Sequence, residues 1–467
     1  MSNGRCCTAY PQTRYAGFRH GCSRKSCCRL GDPVGIVSPT CTDGSPLLRD
    51  KLQQRRVVLT VSVCFGGRQP VGARAQGPCG AGPPSHGAVR KPPRRPIFPL
   101  REVMQILALI PAHNEEDAIE IAINSLRAQT RPPDRIIVVA DNCTDRTVEL
   151  AALNGVEVFV TANNGHKKGG ALNQALSREL PGLEDEDAVF VMDADSSIDP
   201  EFFASAIALL GRPPSGRHAV NHRDRGQYSG RYGGVGGTFR GRSGGGFVGW
   251  LQRNEYARYA RDVRRRQGRV LVLTGTATLF LVRALRDVHH ARLEGRLPGL
   301  GYVYDTQVLT EDNELTFALL RLGYKIRSPP DCTLTTEVMP TWGDLYRQRL
   351  RWKRGALENC AQYGLTRLTF PYWFRQFWTG LGVAVIASYV LTLIWALAVE
   401  GGLVLHYLWL GVTILFAIER VVTVRSRGVL AMLVASVIFV EMTFDLFLQG
   451  VHGKAVIDSI THREKVW

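Results

Sequence analysis

The chain has 467 residues, of which 45% are hydrophobic and 21% are charged. That length is enough for two or three domains with a large core. The formal net charge of +17 is unevenly distributed: residues 1–103 hold 17 Lys and Arg against only four acids, a net charge of +13. Since the other 364 residues carry only +4, the basic composition describes one segment, and we expect no nucleic-acid partner.

Residues 1–103 also hold eight of the eleven cysteines. They contain no CxxC pair at metal-ligand spacing and no apolar run typical of a signal peptide. Their abundant Pro, Gly and Arg cannot bury enough apolar surface to offset chain entropy. We therefore expect either a basic disordered segment or a mis-extended N-terminus, with translation beginning at Met104.

Downstream of Met104, short uncharged runs alternate with helical patterns. The helices are expected from Ile119 to just before Arg131, from a cap at Thr144 or Asp145, and from Lys168. The strands are expected at residues 105–112, 135–140, 156–161 and 188–192, and the apolar runs at 105–112 and 135–140 predict buried strands. This alternation predicts an α/β fold with a mostly parallel sheet and ligands at the carboxyl ends of its strands.

Polar residues stand at three of those strand ends. They are His113-Asn114-Glu115, Asp141-Asn142 and Asp193-Ala194-Asp195. A purely structural loop has no need of an acid at each strand end, so this placement indicates a functional site.

Asp193 and Asp195 are the strongest candidates for metal ligands. Two carboxylates two residues apart, directly after a buried strand, suit Mg²⁺ or Mn²⁺, which completes its coordination with substrate phosphates. The alternative is a solvated acidic turn. The chain has no P-loop motif, and Gly233–Gly237 follows an Arg-rich stretch and no predicted strand, so we do not expect a phosphate loop there.

Six motifs in order resemble those of glycosyltransferase family 2. They are PAHNEE (111–116), VVADNCTDRT (138–147), HKKGGALNQAL (166–176), DAD (193–195), TED (310–312) and QRLRW (348–352). The family consists of inverting, sugar-nucleotide-dependent enzymes with a GT-A fold, including the cellulose, chitin and hyaluronan synthases. The resemblance covers about residues 104–360.

The resemblance implies roles for individual residues. Asp312 would be the general base on the acceptor hydroxyl. Donor binding would fall to Pro111, His113, Asn114, Glu115, Asp141, Lys168 and Asp193; metal binding to Asp193 and Asp195; and acceptor or diphosphate binding to Glu311, Gln348, Arg351 and Trp352. The match departs at Ala140, where many members have a second Asp, and residues 212–246 look like an insertion.

The chemistry of these residue types agrees with the roles. One-step inversion needs a single base that is separate from the metal-binding carboxylates, as Asp312 is. Arg351 can bind diphosphate oxygens in bidentate fashion, and Trp352 can stack on a sugar. As alternatives, Trp352 is ordinary core, the basic residues around it (Arg347, Arg349, Arg351, Lys353 and Arg354) face lipid headgroups, and Asp312 caps a helix that begins near Asn313.

The C-terminal part has the composition of membrane-spanning segments. Gln376–Val399 is 24 residues without a charge, a second span runs from Leu403 to about Ile418 or Val424, and 429–449 is a third candidate. In the third, Glu441 and Asp445 are costly unless they face protein or water. Basic residues beside the spans, Arg367, Arg375, Arg425 and Arg427, favour a cytoplasmic side for those loops.

The predicted organisation is therefore a glycosyltransferase domain at 104–363, an interfacial segment at 364–375, two or three transmembrane helices at 376–450 and a polar tail at 451–467. We expect a plasma-membrane enzyme with a cytoplasmic catalytic domain. It would move a sugar from a nucleotide-diphosphate donor, such as a UDP-sugar, to a polysaccharide or lipid-linked acceptor. The alternatives are single transfer to a glycolipid or polyprenyl phosphate, and a non-catalytic nucleotide-binding membrane module.

Overall fold

The computed structural model describes residues 104–211, 231–399, 407–461 and 463. The expectations for residues 1–103, 212–230 and 403–406 lie outside these ranges. The strands are β1 Ile106–Ala112, β2 Arg135–Ala140, β3 Glu157–Val160, β4 Ala188–Met192, β5 Ser197–Ile198, β6 Tyr232–Gly236, β7 Thr238–Gly241, β8 Ala277–Leu281, β9 Lys325–Arg327 and β10 Thr333–Thr336. The helices are α1 Ile119–Arg127, α2 Thr147–Leu153, α3 Lys167–Glu179, α4 Phe202–Leu210, α5 Gly246–Arg265, α6 Val282–Leu293, α7 Glu311–Arg321, α8 Trp342–Tyr363, α9 Phe370–Val399, α10 Tyr407–Thr423, α11 Val429–Ser436 and α12 Ile438–Ile460.

The central sheet has seven strands in the order β3-β2-β1-β4-β8-β6-β9. The first four are mutually parallel, β8 is antiparallel to both β4 and β6, and β9 is parallel to β6. A smaller sheet has the order β5-β10-β7. Every residue of β1, β4 and β8 is buried, as uncharged runs covered on both faces require. The predicted α/β fold with a mostly parallel sheet is confirmed.

The predicted elements of the first half occupy nearly the predicted residues. Helix α2 is the main difference, since it begins at Thr147 with Arg146 at the N-cap position, where Thr144 or Asp145 was predicted. Asp145 nevertheless accepts hydrogen bonds from the N–H (3.0 Å) and hydroxyl (2.6 Å) of Thr147. It thus satisfies a free N–H at the helix start, which is the work of a capping side chain.

The segment 231–246, expected as part of an insertion, belongs to the fold instead. It forms β6 inside the main sheet and β7 in the smaller one. A Cβ on Gly233 would lie 2.8 Å from Tyr324 Cγ, and one on Gly234 would lie 2.7 Å from Leu273 Cδ1. The glycines are therefore packing requirements of a strand. Because glycine is depleted in strands, the sequence pattern did not predict β6.

Helix α9 is the one described helix long and apolar enough to cross a membrane, or one of two if the bent pair α11–α12 is counted as a span. It starts at Phe370, so the expected interfacial segment 364–375 is divided between a loop and its first turns. Helix α10 has 17 residues. The predicted third span at 429–449 is not one helix, because α11 and α12 meet at a bend of 75°.

Acidic residues of α12 are paired, as the sequence analysis required. Glu441 is fully buried and accepts hydrogen bonds from Asn254 (2.9 Å) and Arg258 (2.8 Å), both on α5. Asp445 pairs with Arg420 of α10. An ionised carboxylate withdrawn from water needs such partners. The contacts of Glu441 join α12 to α5, and the contact of Asp445 joins α12 to α10.

Candidate active site

A cavity of about 1170 Å³ opens beyond the carboxyl end of β4 and between α7 and α8. Eight predicted site residues line it: Lys168, Asp193, Asp195, Glu311, Asp312, Gln348, Arg351 and Trp352. They come from four separate stretches of the chain. The fold therefore brings together the residues to which the resemblance assigns metal, base and acceptor roles.

Lys168 is at the centre of the acidic groups. Its Nζ lies 2.5 Å from Asp193 Oδ1 and 3.9 Å from Glu311 Oε1. Withdrawal from water lowers the pKa of Lys168, but the carboxylates of Asp193 and Glu311 outweigh this effect and raise the pKa above its usual value. Lys168 is therefore a permanently charged cation between Asp193, a candidate metal ligand, and the start of α7.

Gly275 connects the same groups through its backbone, and the sequence analysis missed it. Its carbonyl accepts a hydrogen bond from Lys168 Nζ (2.9 Å), and its N–H donates to Asp312 Oδ2 (2.9 Å). The next residue, Thr276, accepts from the N–H of Asp193 (3.0 Å). The segment before β8 thus aligns the DxD carboxylate with the proposed base. Its only sequence signal is a Gly-Thr pair ahead of an apolar run.

The electrostatic environment of Asp195, with Asp193 beside it, favours a bound cation. Burial and the charge of Asp193 raise the pKa of Asp195 to about 6, and Glu337 adds to the increase. A divalent cation held by both carboxylates would relieve this repulsion. Among the residues described, no three His, Cys, Asp or Glu side chains are grouped as a complete metal site. Two carboxylates fit Mg²⁺ or Mn²⁺ when the cation takes its remaining ligands from phosphate and water.

Asp312 is the second residue of α7, and Thr310 is the N-cap. The alternative in which Asp312 caps a helix that begins near Asn313 is therefore wrong, because α7 begins two residues earlier. Withdrawal from water and repulsion by Glu311 raise the pKa of Asp312 to about 6, against the opposing effect of Lys168. A carboxylate that retains proton affinity near neutral pH suits a general base.

The predicted donor residues at the ends of β1 and β2 form a second group that does not line the cavity. Pro111 lies within β1, opposite Val139. His113 Nδ1 lies 2.6 Å from the carbonyl oxygen of Asp141, and Asn114 accepts from the N–H of Thr144 (2.7 Å). This group is held together locally, at the same sheet edge as the DxD.

Asp141 and Glu115 differ in environment within that second group. The Oδ1 of Asp141 accepts from Thr161 (2.7 Å) and Asn164 (2.9 Å). Burial, followed by repulsion from Asp195 and Glu337, raises the pKa of Glu115 to about 7. Glu115 therefore links the strand-end group electrostatically to the cavity. Glu337, which follows β10, was missed by the sequence analysis.

The QRLRW segment lies on α8, and its basic residues do different work. Arg349 is buried, pairs with Glu255 (2.7 Å) and stacks 4.4 Å from the ring of Trp352. Arg351 is exposed and lines the cavity. The alternative of one basic face towards lipid is wrong, because Arg349 and Arg354 are buried. Trp352 has one ring face covered and still borders the cavity, so it is not ordinary core.

Comparison with known proteins agrees with the motifs. Residues 108–288 match the family model of glycosyl transferase family 2. Poly-beta-1,6-N-acetyl-D-glucosamine synthase of Staphylococcus aureus (strain MSSA476) is 28% identical over 271 residues, which are 57% of this chain and 58% of that protein. The synthase of Staphylococcus epidermidis is 25% identical over 297 residues, 62% of this chain and 61% of that protein.

The chain thus spans about three fifths of the length of the curated relatives it matches. Among solved structures, mannosyltransferase PcManGT from Pyrobaculum calidifontis, in complex with GDP-Man and Mn²⁺, is 17% identical. That alignment covers 77% of this chain and 88% of the other, with a TM-score of 0.47.

Proposed function

We propose that the protein is a membrane-bound, inverting glycosyltransferase that uses a nucleotide-diphosphate sugar. The observation that carries the proposal is the continuous polar connection from the DxD to Asp312. Lys168 contacts Asp193 and Gly275, and Gly275 donates to Asp312. In this proposal, a leaving-group site at the DxD and a separate base on α7 border one cavity, which is the arrangement that direct displacement requires.

In the proposed reaction, an acceptor hydroxyl attacks the anomeric carbon of the donor sugar. The new glycosidic C–O bond forms as the bond between that carbon and the diphosphate oxygen breaks. Asp312 takes the hydroxyl proton, and the nucleoside diphosphate departs with the bonding electrons. Because attack and departure occur on opposite faces, the anomeric configuration inverts without an enzyme nucleophile.

The leaving diphosphate develops negative charge that must be neutralised. Asp193 and Asp195 would hold Mg²⁺ or Mn²⁺, which supplies that neutralisation without proton transfer. Arg351, exposed on the cavity wall, offers a guanidinium for diphosphate oxygens. The strand-end group with Pro111, His113, Asn114, Glu115 and Asp141 would receive the nucleoside.

The relatives and the cavity support a more specific substrate assignment. We infer a UDP-N-acetylhexosamine donor from the polymer that the staphylococcal synthases are named for and a saccharide acceptor from the size of the cavity, about 1170 Å³. Glu311, Gln348 and Trp352 would border that acceptor. Helix α9 would anchor the enzyme in the plasma membrane, with the catalytic domain in the cytoplasm, where sugar nucleotides are available.

Product analysis tests the proposal. Membranes containing the full chain are incubated with Mn²⁺ and, separately, labelled UDP-GlcNAc, UDP-glucose or GDP-mannose, and the products are sized. Membranes without the protein are the control. We expect label from UDP-GlcNAc in a saccharide polymer.

Each other product distribution contradicts a defined part of the proposal. Label confined to an organic-soluble lipid would establish the single-transfer alternative and overturn the polymer assignment. Tight UDP binding without transfer from any donor would favour the non-catalytic module. Preference for GDP-mannose would overturn the assignment of the donor.

A further inference from the structure

Thr310, the residue before Glu311 and Asp312, is at the N-cap of α7, but its side chain bonds to a different helix. Thr at an N-cap normally accepts a hydrogen bond from an N–H of its own helix through its hydroxyl. Here the Thr310 side chain makes no such bond to α7. Its hydroxyl and carbonyl oxygens instead accept from Asn359 Nδ2 of α8, at 3.1 and 3.0 Å.

The side-chain amide of Asn359 donates both of these hydrogen bonds to Thr310. Its side chain is fully buried, and its Oδ1 has no hydrogen-bond partner among the described residues. Burying an amide whose carbonyl oxygen is unpaired costs free energy. The two hydrogen bonds to Thr310 offset part of that cost. They fix the residue ahead of the proposed base to α8.

Gly355 sets how closely the two elements approach. A Cβ at this position would lie 2.7 Å from Thr310 Cγ2 and closer still to its hydroxyl oxygen. Contacts this short require something to move, and Thr310 is held by Asn359. Even alanine at position 355 would therefore push α8 and the start of α7 apart.

Helix α8 carries Gln348, Arg351 and Trp352 on the cavity wall, and α7 begins with Glu311 and Asp312. We propose that Gly355 and Asn359 are positioning residues that clamp Thr310, and so fix Asp312 relative to the acceptor-binding face of α8. This inference rests on the proposed function of Asp312. The clamp lies on the α7–α8 side of the cavity, away from the strand-end group assigned to the nucleoside.

The test compares three variants of the full chain in membranes. Gly355→Ala adds the obstructing methyl group. Gly343→Ala is the matched control, because Gly343 lies on the same helix and a Cβ there would meet its nearest atom only at 3.8 Å. Both changes replace a glycine of α8 with a better helix former. Gly355→Ala combined with Thr310→Ala removes the two Thr310 side-chain atoms nearest the new methyl group.

Three measurements are made on each variant: turnover at saturating donor, the dissociation constant of UDP with Mn²⁺, and amide hydrogen exchange over residues 309–313. Gly355→Ala should lower turnover about 100-fold, the loss expected for a displacement of about 1 Å. It should also speed exchange in that segment and leave the UDP dissociation constant within about 3-fold of wild type. Gly343→Ala should behave as wild type, and Thr310→Ala should restore part of the turnover lost in Gly355→Ala.

Equal turnover and equal exchange in the Gly355→Ala and Gly343→Ala proteins would overturn the proposal. A loss of UDP binding in parallel with turnover would also overturn it, since that is a general structural defect. If wild type forms no product, the proposed function fails, and the exchange and UDP measurements alone decide whether the clamp exists.

Discussion

At the scale of single residues, the cavity is organised by carboxylates that resist ionisation around one fixed cation. The pKa values of Asp195 and Asp312 are both raised to about 6. Lys168 lies close to the acidic neighbour of each, Asp193 and Glu311. The pKa values of the two carboxyl groups are raised for related reasons, burial and a like-charged neighbour, but their proposed roles differ. Asp195 would bind a cation, and Asp312 would accept a proton.

The pKa of Asp312 predicts the acid limb of the activity profile. A raised pKa means that the carboxyl keeps its proton to a higher pH, and a protonated base cannot accept another. Turnover should therefore be present above about pH 6 and fall tenfold per pH unit below it. The profile is measured at saturating donor and Mn²⁺, so that protonation of the DxD does not contribute. Turnover that stays constant to pH 4.5 would exclude Asp312 as the base.

Removal of one DxD carboxylate should abolish metal-dependent donor binding. In Asp195→Ala, a single carboxylate remains to hold the cation, so the diphosphate charge is poorly neutralised. We expect UDP binding to weaken by at least 10-fold and to lose its dependence on Mn²⁺, as measured by calorimetry. Asp117→Ala, at an exposed acid outside the cavity, is the control. Unchanged Mn²⁺ dependence in Asp195→Ala would place the cation elsewhere.

At the scale of elements, the sequence predicted what depends on local pattern. Uncharged apolar runs identified β1, β2 and β4, and the polar residues after them identified the site, because period and composition are visible in a short window. Strand β6 was not predicted, because its glycines are required by packing against residues distant in sequence, such as Tyr324 and Leu273. Gly275 and Glu337 were not identified as site residues for the same reason, since they act through contacts across the cavity.

The glycine-rich segment should therefore be sensitive to added volume. A Cβ on Gly237 would lie 2.9 Å from Phe202 Cε2 and nearer still to Leu334, both fully buried. We expect Gly237→Ala to lower the free energy of unfolding by about 1–3 kcal/mol, the usual cost of overpacking a core. Denaturant unfolding of the purified protein measures it, with Gly182→Ala as the control, since a Cβ there meets nothing within 4 Å. Equal stability of the two variants would contradict the packing argument.

At the scale of the whole molecule, α11 and α12 begin and end beside the α/β domain. Arg427, just before α11, donates to Asn254 and to the carbonyl oxygen of Trp250 (3.2 Å) on α5. At the other end, Lys454 and Asp458 of α12 line the cavity, and the carbonyl oxygen of Arg463 accepts a hydrogen bond from the guanidinium of Arg354 on α8. Because both ends of the pair contact the same domain, we predict that the pair does not cross the membrane. Helix α9 and the second predicted span, which begins at Leu403 and contains α10, would then be the outgoing and returning spans.

This topology can be measured directly. An epitope inserted after Ser426 and one at the C-terminus should both be digested by protease added to the cytoplasmic side of sealed vesicles. An epitope in the α9–α10 connection should be protected until the vesicles are opened. Protection of the C-terminal epitope alone would show that the α11–α12 pair crosses the membrane and would contradict the topology.

The central claim is that Asp312 accepts the proton of the acceptor while the DxD serves the donor, and Asp312→Asn tests it most directly. The amide keeps the shape and the hydrogen bond from Gly275 but cannot take a proton. We expect turnover to fall about 10²–10⁴-fold, the usual contribution of a general base, while the donor dissociation constant stays within about 3-fold. Turnover and donor affinity are measured on the same membrane-inserted variant. Near-normal turnover would contradict the account and pass the role of base to Glu311 or another acid.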